Sequence, residues 1–183
     1  IEDADEEELK ELFARLQLGK ALNSGEKLNA IHGKLRDFAK KLVLNNFFTN
    51  TISLKNTRHS YLSISGQLCI LGIKGVENLK FRDIKSLLGS NVNFNPNSTQ
   101  GKNITQILSF LDSSFTDNSK LFRNKASITT LFALISTMKT NGFDIRKKES
   151  KTKISDFYEE FLGQLRIEIE KGAKSKNPEY VIY

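Results

Sequence analysis

The chain has 183 residues, of which 38% are hydrophobic and 27% are charged, and its formal net charge is +7. This is the size and composition of one ordinary globular domain, and two prolines with scattered glycines exclude collagen-like and low-complexity proteins. Because the first 11 residues carry a net charge of −6, the rest of the chain carries +13. That surplus favours nucleic acid, a nucleotide or an acidic partner, since Lys and Arg bind phosphate. A basic surface that only aids solubility is the alternative.

The single cysteine, Cys69, lies in the apolar run 68–71, so we expect a buried thiol and no internal disulfide. The sequence contains neither a secretory signal nor an apolar run of membrane-spanning length, which predicts a cytoplasmic protein without a membrane partner. The chain begins at Ile1 rather than Met and ends at Tyr183 without a polar tail. We therefore expect it to be a fragment of a longer protein.

Helical periodicity begins near the N-terminus, where residues 4–16 place apolar side chains three and four positions apart behind a run of acids. Asn23 precedes Glu26 by three residues, the spacing of a capping box, which predicts the start of a second helix. After a stop at His32-Gly33, a third, amphipathic helix is predicted by the apolar residues Leu35, Phe38, Ala39, Leu42 and Val43.

The middle of the chain alternates between loops and apolar helices. Residues 45–56 are rich in Asn and Thr, which predicts a loop that Phe47 and Phe48 anchor to the core. Residues 58–73 fit a buried helix, although 70–73 also fit a short strand, and 81–88 fit a short helix. The strongest turn signals lie in 91–103, which we expect to connect an N-terminal lobe, 1–90, to a C-terminal lobe, 104–183.

The second half of the chain predicts three further helices, the first starting at Ile104 and the second covering 126–138 as an apolar, central element. Residues 139–153 carry a net charge of +4, which favours a solvated connector. Ser155 is then the expected cap of a last helix whose inward residues are Phe157, Phe161, Leu165 and Ile169. The fold class is all-α, an irregular bundle of about seven or eight helices. The same periodicity predicts that six of its apolar side chains are buried: Phe13, Leu42, Leu71, Leu111, Leu131 and Phe161.

Several kinds of chemistry are missing from the sequence. Two histidines and one cysteine, none at ligand spacing, build no zinc site, and no phosphate-binding loop or Gly-x-Ser-x-Gly elbow is present. The metal-binding residues of many nucleases are only loosely matched by Asp144, Glu149 and Lys151. In those enzymes a β-sheet holds two carboxylates on one cation, whereas here the residues fall in a lysine-rich connector. We assign no catalytic residue, metal ligand or cofactor, and we expect the chain alone neither to hydrolyse a nucleotide nor to cleave DNA.

Two groups of polar residues are candidate binding sites. The turn between the first two helices gathers Arg15, Gln17, Asn23 and Lys27 near a helix start, where unpaired N–H groups favour an anion such as nucleotide phosphate. The alternative is structural: Asn23 and Glu26 cap the helix, Arg15 pairs with an acid of the first helix, and Gln17 fastens the turn. In the basic connector, the candidate nucleic-acid contacts are Arg146, Lys147, Lys148 and Lys151.

The segment from Phe13 to Lys27 resembles a pattern of the GmrSD-type restriction endonuclease N-terminal domain family, which has a ParB/sulfiredoxin-like catalytic region. That pattern is Phe-x-Arg-(Leu/Ile)-(Gln/Asn)-x-Gly-x-x-Leu-(Asn/Ser)-x-x-Glu-(Lys/Leu). The resemblance covers most of the chain. It continues through 36–38, through Phe47-Phe48 with Arg58-His59-Ser60-Tyr61, through 122–126, and finally through 161–172 and 177–179.

This resemblance implies a prokaryotic anti-phage or modification-dependent restriction protein. In that family an Asp-Gly-Gln-Gln-Arg motif hydrolyses a nucleoside triphosphate with a divalent metal, and an HNH-like nuclease is often attached. The motif is absent from these residues, so the resemblance implies a helical accessory region whose partners are an upstream catalytic domain, DNA and an HNH-like nuclease. The alternative from a different class is a non-catalytic helical DNA-binding or protein-interaction module.

Overall fold

The computed structural model describes residues 22–117 and 119–171. Within those ranges the chain forms seven α-helices: α1 (Ser24–Asn29), α2 (Lys34–Leu42), α3 (Ser60–Lys74), α4 (Phe81–Ser90), α5 (Thr99–Ser114), α6 (Lys125–Thr140) and α7 (Lys148–Lys171). A π-helical turn, Phe47–Thr51, and a 3-10 turn, Lys120–Phe122, complete the regular structure of this part. The all-α prediction is confirmed. The helix predicted over 4–16 lies outside the described residues.

The starts of α1 and α2 follow local rules of helix capping. Asn23 Oδ1 accepts a hydrogen bond from the Glu26 backbone N–H at 2.9 Å, and the Glu26 carboxylate accepts one from the Asn23 N–H at 2.8 Å. This reciprocal pair is the predicted capping box. Gly33 precedes α2 with a φ of 133°, a value that L side chains rarely adopt, which explains the predicted stop there.

Helix α3 occupies the centre of the bundle and contacts α1, α2, α4, α5 and α6. Small side chains on α3 allow these close approaches. Ser65 Oγ donates a buried hydrogen bond of 2.7 Å to the Ala39 carbonyl of α2, and a Cβ on Gly66 would lie 2.4 Å from Ile84 Cγ2 of α4. The helix continues through residues 70–73, so the alternative of a short strand there is wrong.

Two aromatic side chains anchor the segment 45–56, as predicted. Phe47 and Phe48 are fully buried, although the segment contains a π-helical turn rather than only irregular loop. The ring of Phe47 packs edge-on against Phe122 with a centroid distance of 5.3 Å, and Phe48 packs against Tyr61 at the same distance. These contacts join the π-helical turn to both α3 and the 3-10 turn.

Helix α5 begins inside the predicted connector 91–103, five residues before Ile104. Ser98 caps it by accepting a hydrogen bond of 3.2 Å from the Gly101 N–H, a local capping signal that overrides the run of polar residues. A single cluster of buried hydrophobic side chains draws residues from both sides of 91–103.

The last helix starts earlier than predicted. Helix α7 begins at Lys148, so Ser155 lies inside the helix and does not cap it, and the connector ends well before Lys153. The physical reason is that lysine is a good helix former, so a lysine-rich stretch need not be a loop. Ser150 fastens the first turn of α7 by donating a hydrogen bond of 2.8 Å to the Asp144 carbonyl.

The predicted inward face of this helix is also wrong. Phe157 and Ile169 are 50% and 56% exposed, whereas Ile154 and Tyr158 are buried. Tyr158 lies inward because its hydroxyl donates a hydrogen bond of 2.8 Å to the Ser127 carbonyl of α6, which satisfies its polar atom. Its ring also stacks on Phe122 at a centroid distance of 6.1 Å.

Most of the predicted core positions are correct. Leu42, Leu71, Leu111 and Leu131 are buried, as is Cys69. Phe161 is only partly buried, and Phe13 lies outside the described residues. In the part of the chain that the structure describes, no helix combines the length and apolar character needed to cross a membrane.

Candidate functional site

The first candidate site is the junction between the start of α1 and the turn before α3. Besides its capping bond, Asn23 donates a hydrogen bond of 3.0 Å from Nδ2 to the Arg58 carbonyl. The Arg58 guanidinium donates two more to the Glu26 carboxylate, of 2.9 Å from Nε and 2.7 Å from Nη2. Arg58 and the capping box hold the pKa of Glu26 below its ordinary value.

The backbone at this junction is strained and tightly packed. Arg58 and His59 adopt φ values of 50° and 61°, in the left-handed region that non-glycine residues rarely occupy. A Cβ on Gly25 would lie only 2.2 Å from the His59 carbonyl oxygen, so the two backbones meet directly. A strained backbone conformation persists only where surrounding contacts stabilise it. Here the hydrogen bonds that Asn23 and Glu26 make with Arg58 stabilise the strained turn.

The structure describes two of the four predicted phosphate contacts, Asn23 and Lys27. Asn23 is committed to the cap and to Arg58, while the exposed Lys27 places its ammonium 5.9 Å from the centre of the Phe81 ring, a cation–π contact. Arg15 and Gln17 lie outside the described residues. The phosphate-binding role of these four residues therefore stays a prediction.

The second candidate site is an open groove of about 740 Å³ between α5, the end of α6 and the start of α7. Its lining combines one lysine from each of α6 and α7, hydroxyl and amide side chains of α5, and the 142–146 turn. Of the charged side chains that line it, Lys139, Arg146 and Lys151 are positive and Asp144 is negative. The groove is therefore basic.

Lys139 connects two walls of this groove. Its Nζ donates hydrogen bonds to Asn103 Oδ1 at 2.6 Å and to Gln106 Oε1 at 2.7 Å, both on α5. Partial burial, with repulsion from Arg146, lowers the pKa of Lys139 below its ordinary value. These two acceptors are neutral amides, so they do not compensate the positive charge of the ammonium group.

The 144–146 turn presents a second cation. Arg146 donates hydrogen bonds to the Asp144 carboxylate from its backbone N–H, at 3.0 Å, and from Nε, at 2.9 Å. This pairing lowers the pKa of Asp144 and raises that of Arg146. Of the other predicted nucleic-acid contacts, Lys151 lines the groove, whereas Lys147 and Lys148 are exposed beside it.

The structure thus brings Arg146 and Lys151 together with a residue to which the sequence alone assigned no role, Lys139. The sequence offers little reason to single out Lys139, because it is one of six basic residues in the predicted connector. Its partners on α5 are 33 and 36 residues away, beyond the reach of local patterns.

Neither site resembles a metal centre. Across the described ranges, no group of three or more His, Cys, Asp or Glu residues is placed to hold a metal ion. Comparison of the chain with protein-family models, with curated proteins and with solved structures finds no match. The fold and its two candidate sites define an all-α protein with a basic groove, and the GmrSD-type resemblance stays a prediction.

Proposed function

We propose that this chain is the helical accessory region of a prokaryotic anti-phage or modification-dependent restriction protein, in which a segment upstream of Ile1 hydrolyses the nucleotide. In this role the chain is a scaffold rather than a catalyst. It would pack beside the catalytic segment and place the Asn23–Lys27 turn at the edge of the nucleotide pocket. This proposal rests first on the sequence resemblance.

A structural observation also supports the proposal: two of the segments that match the family pattern are in contact. Glu26, from the Phe13–Lys27 segment, forms its bidentate ion pair with Arg58, from the Arg58-His59-Ser60-Tyr61 segment. Likewise Phe48 packs against Tyr61. Through these contacts, two segments that carry the resemblance lie side by side, which supports treating them as one structural unit in the proposed role.

The Glu26–Arg58 pair would have a definite function in such a protein. It fixes the start of α1 against the turn before α3, and Asn23 adds a further bond to the same turn. Residues that only position a neighbouring site act through rigidity. Loss of the pair should therefore impair the function of the whole protein even if the rest of the fold persists.

A phage-restriction experiment tests the proposal. The natural gene, with its upstream segment, would be expressed in bacteria, and plating efficiency measured for phages whose DNA bases are modified or unmodified. We expect the wild-type gene to restrict one group selectively. Glu26→Arg and Arg58→Glu should each abolish restriction, and the double exchange should restore part of it because opposite charges again face each other.

Lys85→Gln is a suitable control, since Lys85 is an exposed residue of α4 that belongs neither to the groove lining nor to the Glu26–Arg58 pair. It should restrict as the wild type does. Equal plating of both phage groups on wild-type cells would contradict the proposed function. Full restriction by both single charge reversals would instead contradict the positioning role of the pair.

A further inference from the structure

The basic groove between α5, α6 and α7 has the size of a small-molecule site. Ligand pockets in proteins commonly measure about 300–1,000 Å³, and this groove measures about 740 Å³. Its charged lining residues, Lys139, Arg146, Lys151 and Asp144, sum to a net charge of +2. An anion of moderate size is the ligand that this excess of positive charge would attract.

The arrangement around Lys139 favours an anionic group such as phosphate. An ammonium group has three donors, and among the described residues two of them have acceptors, the amide oxygens of Asn103 and Gln106. The third donor is left for a ligand. The pKa of Lys139 is lowered by burial and by Arg146, so a bound anion would relieve an unfavourable charge rather than compete with an existing carboxylate.

Polar side chains of α5 extend this donor set. Gln106 accepts the Lys139 bond through its oxygen, which leaves its NH₂ group as a donor, and Ser109 lines the groove close by. The half-buried ring of Phe143, which packs edge-on against Phe110 at 6.4 Å, adds an apolar surface to the lining. The groove therefore combines cationic side chains with an apolar surface.

We infer that this groove binds an organic phosphate of nucleotide size, with Lys139, Arg146 and Lys151 contacting the phosphate and Phe143 contacting the organic portion. The groove shares no lining residue with the Asn23–Lys27 turn. The inference goes beyond the proposed function, because it concerns a second site that the proposed function does not use.

The test is equilibrium binding of ADP to the complete 183-residue chain, measured by titration calorimetry at low ionic strength. We expect saturable binding of ADP and weaker binding of inorganic phosphate, which lacks the organic portion. Lys139→Gln and Lys151→Gln should each weaken ADP binding by about tenfold, the effect of losing one charge-assisted hydrogen bond. Lys85→Gln, which removes an equal charge outside the groove, should bind as the wild type does.

Lys139→Gln also removes two hydrogen bonds between α5 and α6, so it affects stability as well as binding. Lys151→Gln removes a charge from the groove without removing those bonds, and it therefore tests binding alone. Melting temperatures of all variants would be measured alongside. Absence of saturable ADP binding, or unchanged affinity in a folded Lys151→Gln variant, would overturn the inference. Binding of a single-stranded oligonucleotide without binding of ADP would also overturn it and assign the surface to nucleic acid instead.

Discussion

Glu26 and Arg58 are separated by 32 residues in the sequence, and their side chains are joined by two hydrogen bonds of 2.9 and 2.7 Å. Both side chains are partly shielded from water, with 21% and 33% of their surfaces exposed. The same Glu26 carboxylate completes the capping box of α1. One side chain thus both caps a helix and joins it to the turn before the central helix.

A double-mutant cycle should detect this link as a coupling in stability. We expect Glu26→Gln and Arg58→Gln each to lower the free energy of unfolding. The double variant should lose less stability than the sum of the two single losses. The coupling should be favourable and small, as is usual for partly exposed ion pairs. Urea denaturation of the four proteins provides the measurement, and strict additivity of the two losses would contradict a direct interaction.

The same pair predicts a dependence of stability on pH. Since the folded-state pKa of Glu26 lies below its ordinary value, its contribution is present above that ordinary value. It is lost as the pH falls through the lowered folded-state pKa. Glu26→Gln should therefore flatten the acid side of the curve of unfolding free energy against pH. Identical acid slopes for the variant and the wild type would show that other carboxyl groups account for the loss.

The sequence predicted one half of this junction and not the other. Asn23 and Glu26 are three residues apart, so their capping box follows from local spacing. Arg58 is distant, and no local pattern identifies its partner. The same reasoning applies to Lys139, whose charge favoured a solvated connector, because its acceptors lie on α5 and only the tertiary fold brings them near.

The prediction for the last helix was wrong for a different reason. Apolar residues there fit two overlapping helical stripes, one through Phe157 and Phe161 and another through Ile154 and Tyr158. Periodicity alone cannot choose between the two. The choice depends on the Ser127 carbonyl of α6, which accepts a hydrogen bond from the Tyr158 hydroxyl, and that contact is a property of the tertiary fold.

Phe122 should be among the most costly side chains to remove. It is fully buried, and its ring contacts Phe47 at 5.3 Å, Phe115 at 4.9 Å and Tyr158 at 6.1 Å between centroids. Phe122→Ala should lower the free energy of unfolding by about 3–5 kcal/mol, since it leaves a cavity among rings that hold one another in place.

The control for this cavity is Phe157→Ala on α7, where the ring is half exposed and stacks on the neighbouring Phe161. Its cost should be about 1 kcal/mol or less. Chemical denaturation measures both variants. Similar losses for the two would mean that the aromatic cluster around Phe122 does not form the centre of the core.

The thiol of Cys69 should be unreactive in the folded protein. Full burial raises the pKa of Cys69 to about 12, so the thiolate that reacts with disulfide reagents is scarce near neutral pH. We expect an aromatic disulfide reagent to modify the native chain only as fast as the chain unfolds, and rapidly in denaturant. Fast stoichiometric modification under native conditions would contradict the placement of Cys69 in α3.

Two glycine-to-alanine substitutions should change stability in opposite directions. Gly163 is exposed inside α7, and a Cβ added there would meet nothing within 4 Å, so Gly163→Ala should stabilise the chain by about 0.5–1 kcal/mol through helix propensity. Gly25 also lies in a helix, α1, but its Cβ would be 2.2 Å from the His59 carbonyl oxygen.

That oxygen belongs to backbone, and Asn23 and Glu26 bind the adjacent Arg58, so the turn cannot move away cheaply. Gly25→Ala should therefore destabilise the chain by about 1–3 kcal/mol, the cost of an overpacked contact. Urea denaturation of both variants tests the pair. If Gly25→Ala were stabilising like Gly163→Ala, α1 would not lie against the turn before α3, and the junction on which the proposed function relies would be absent.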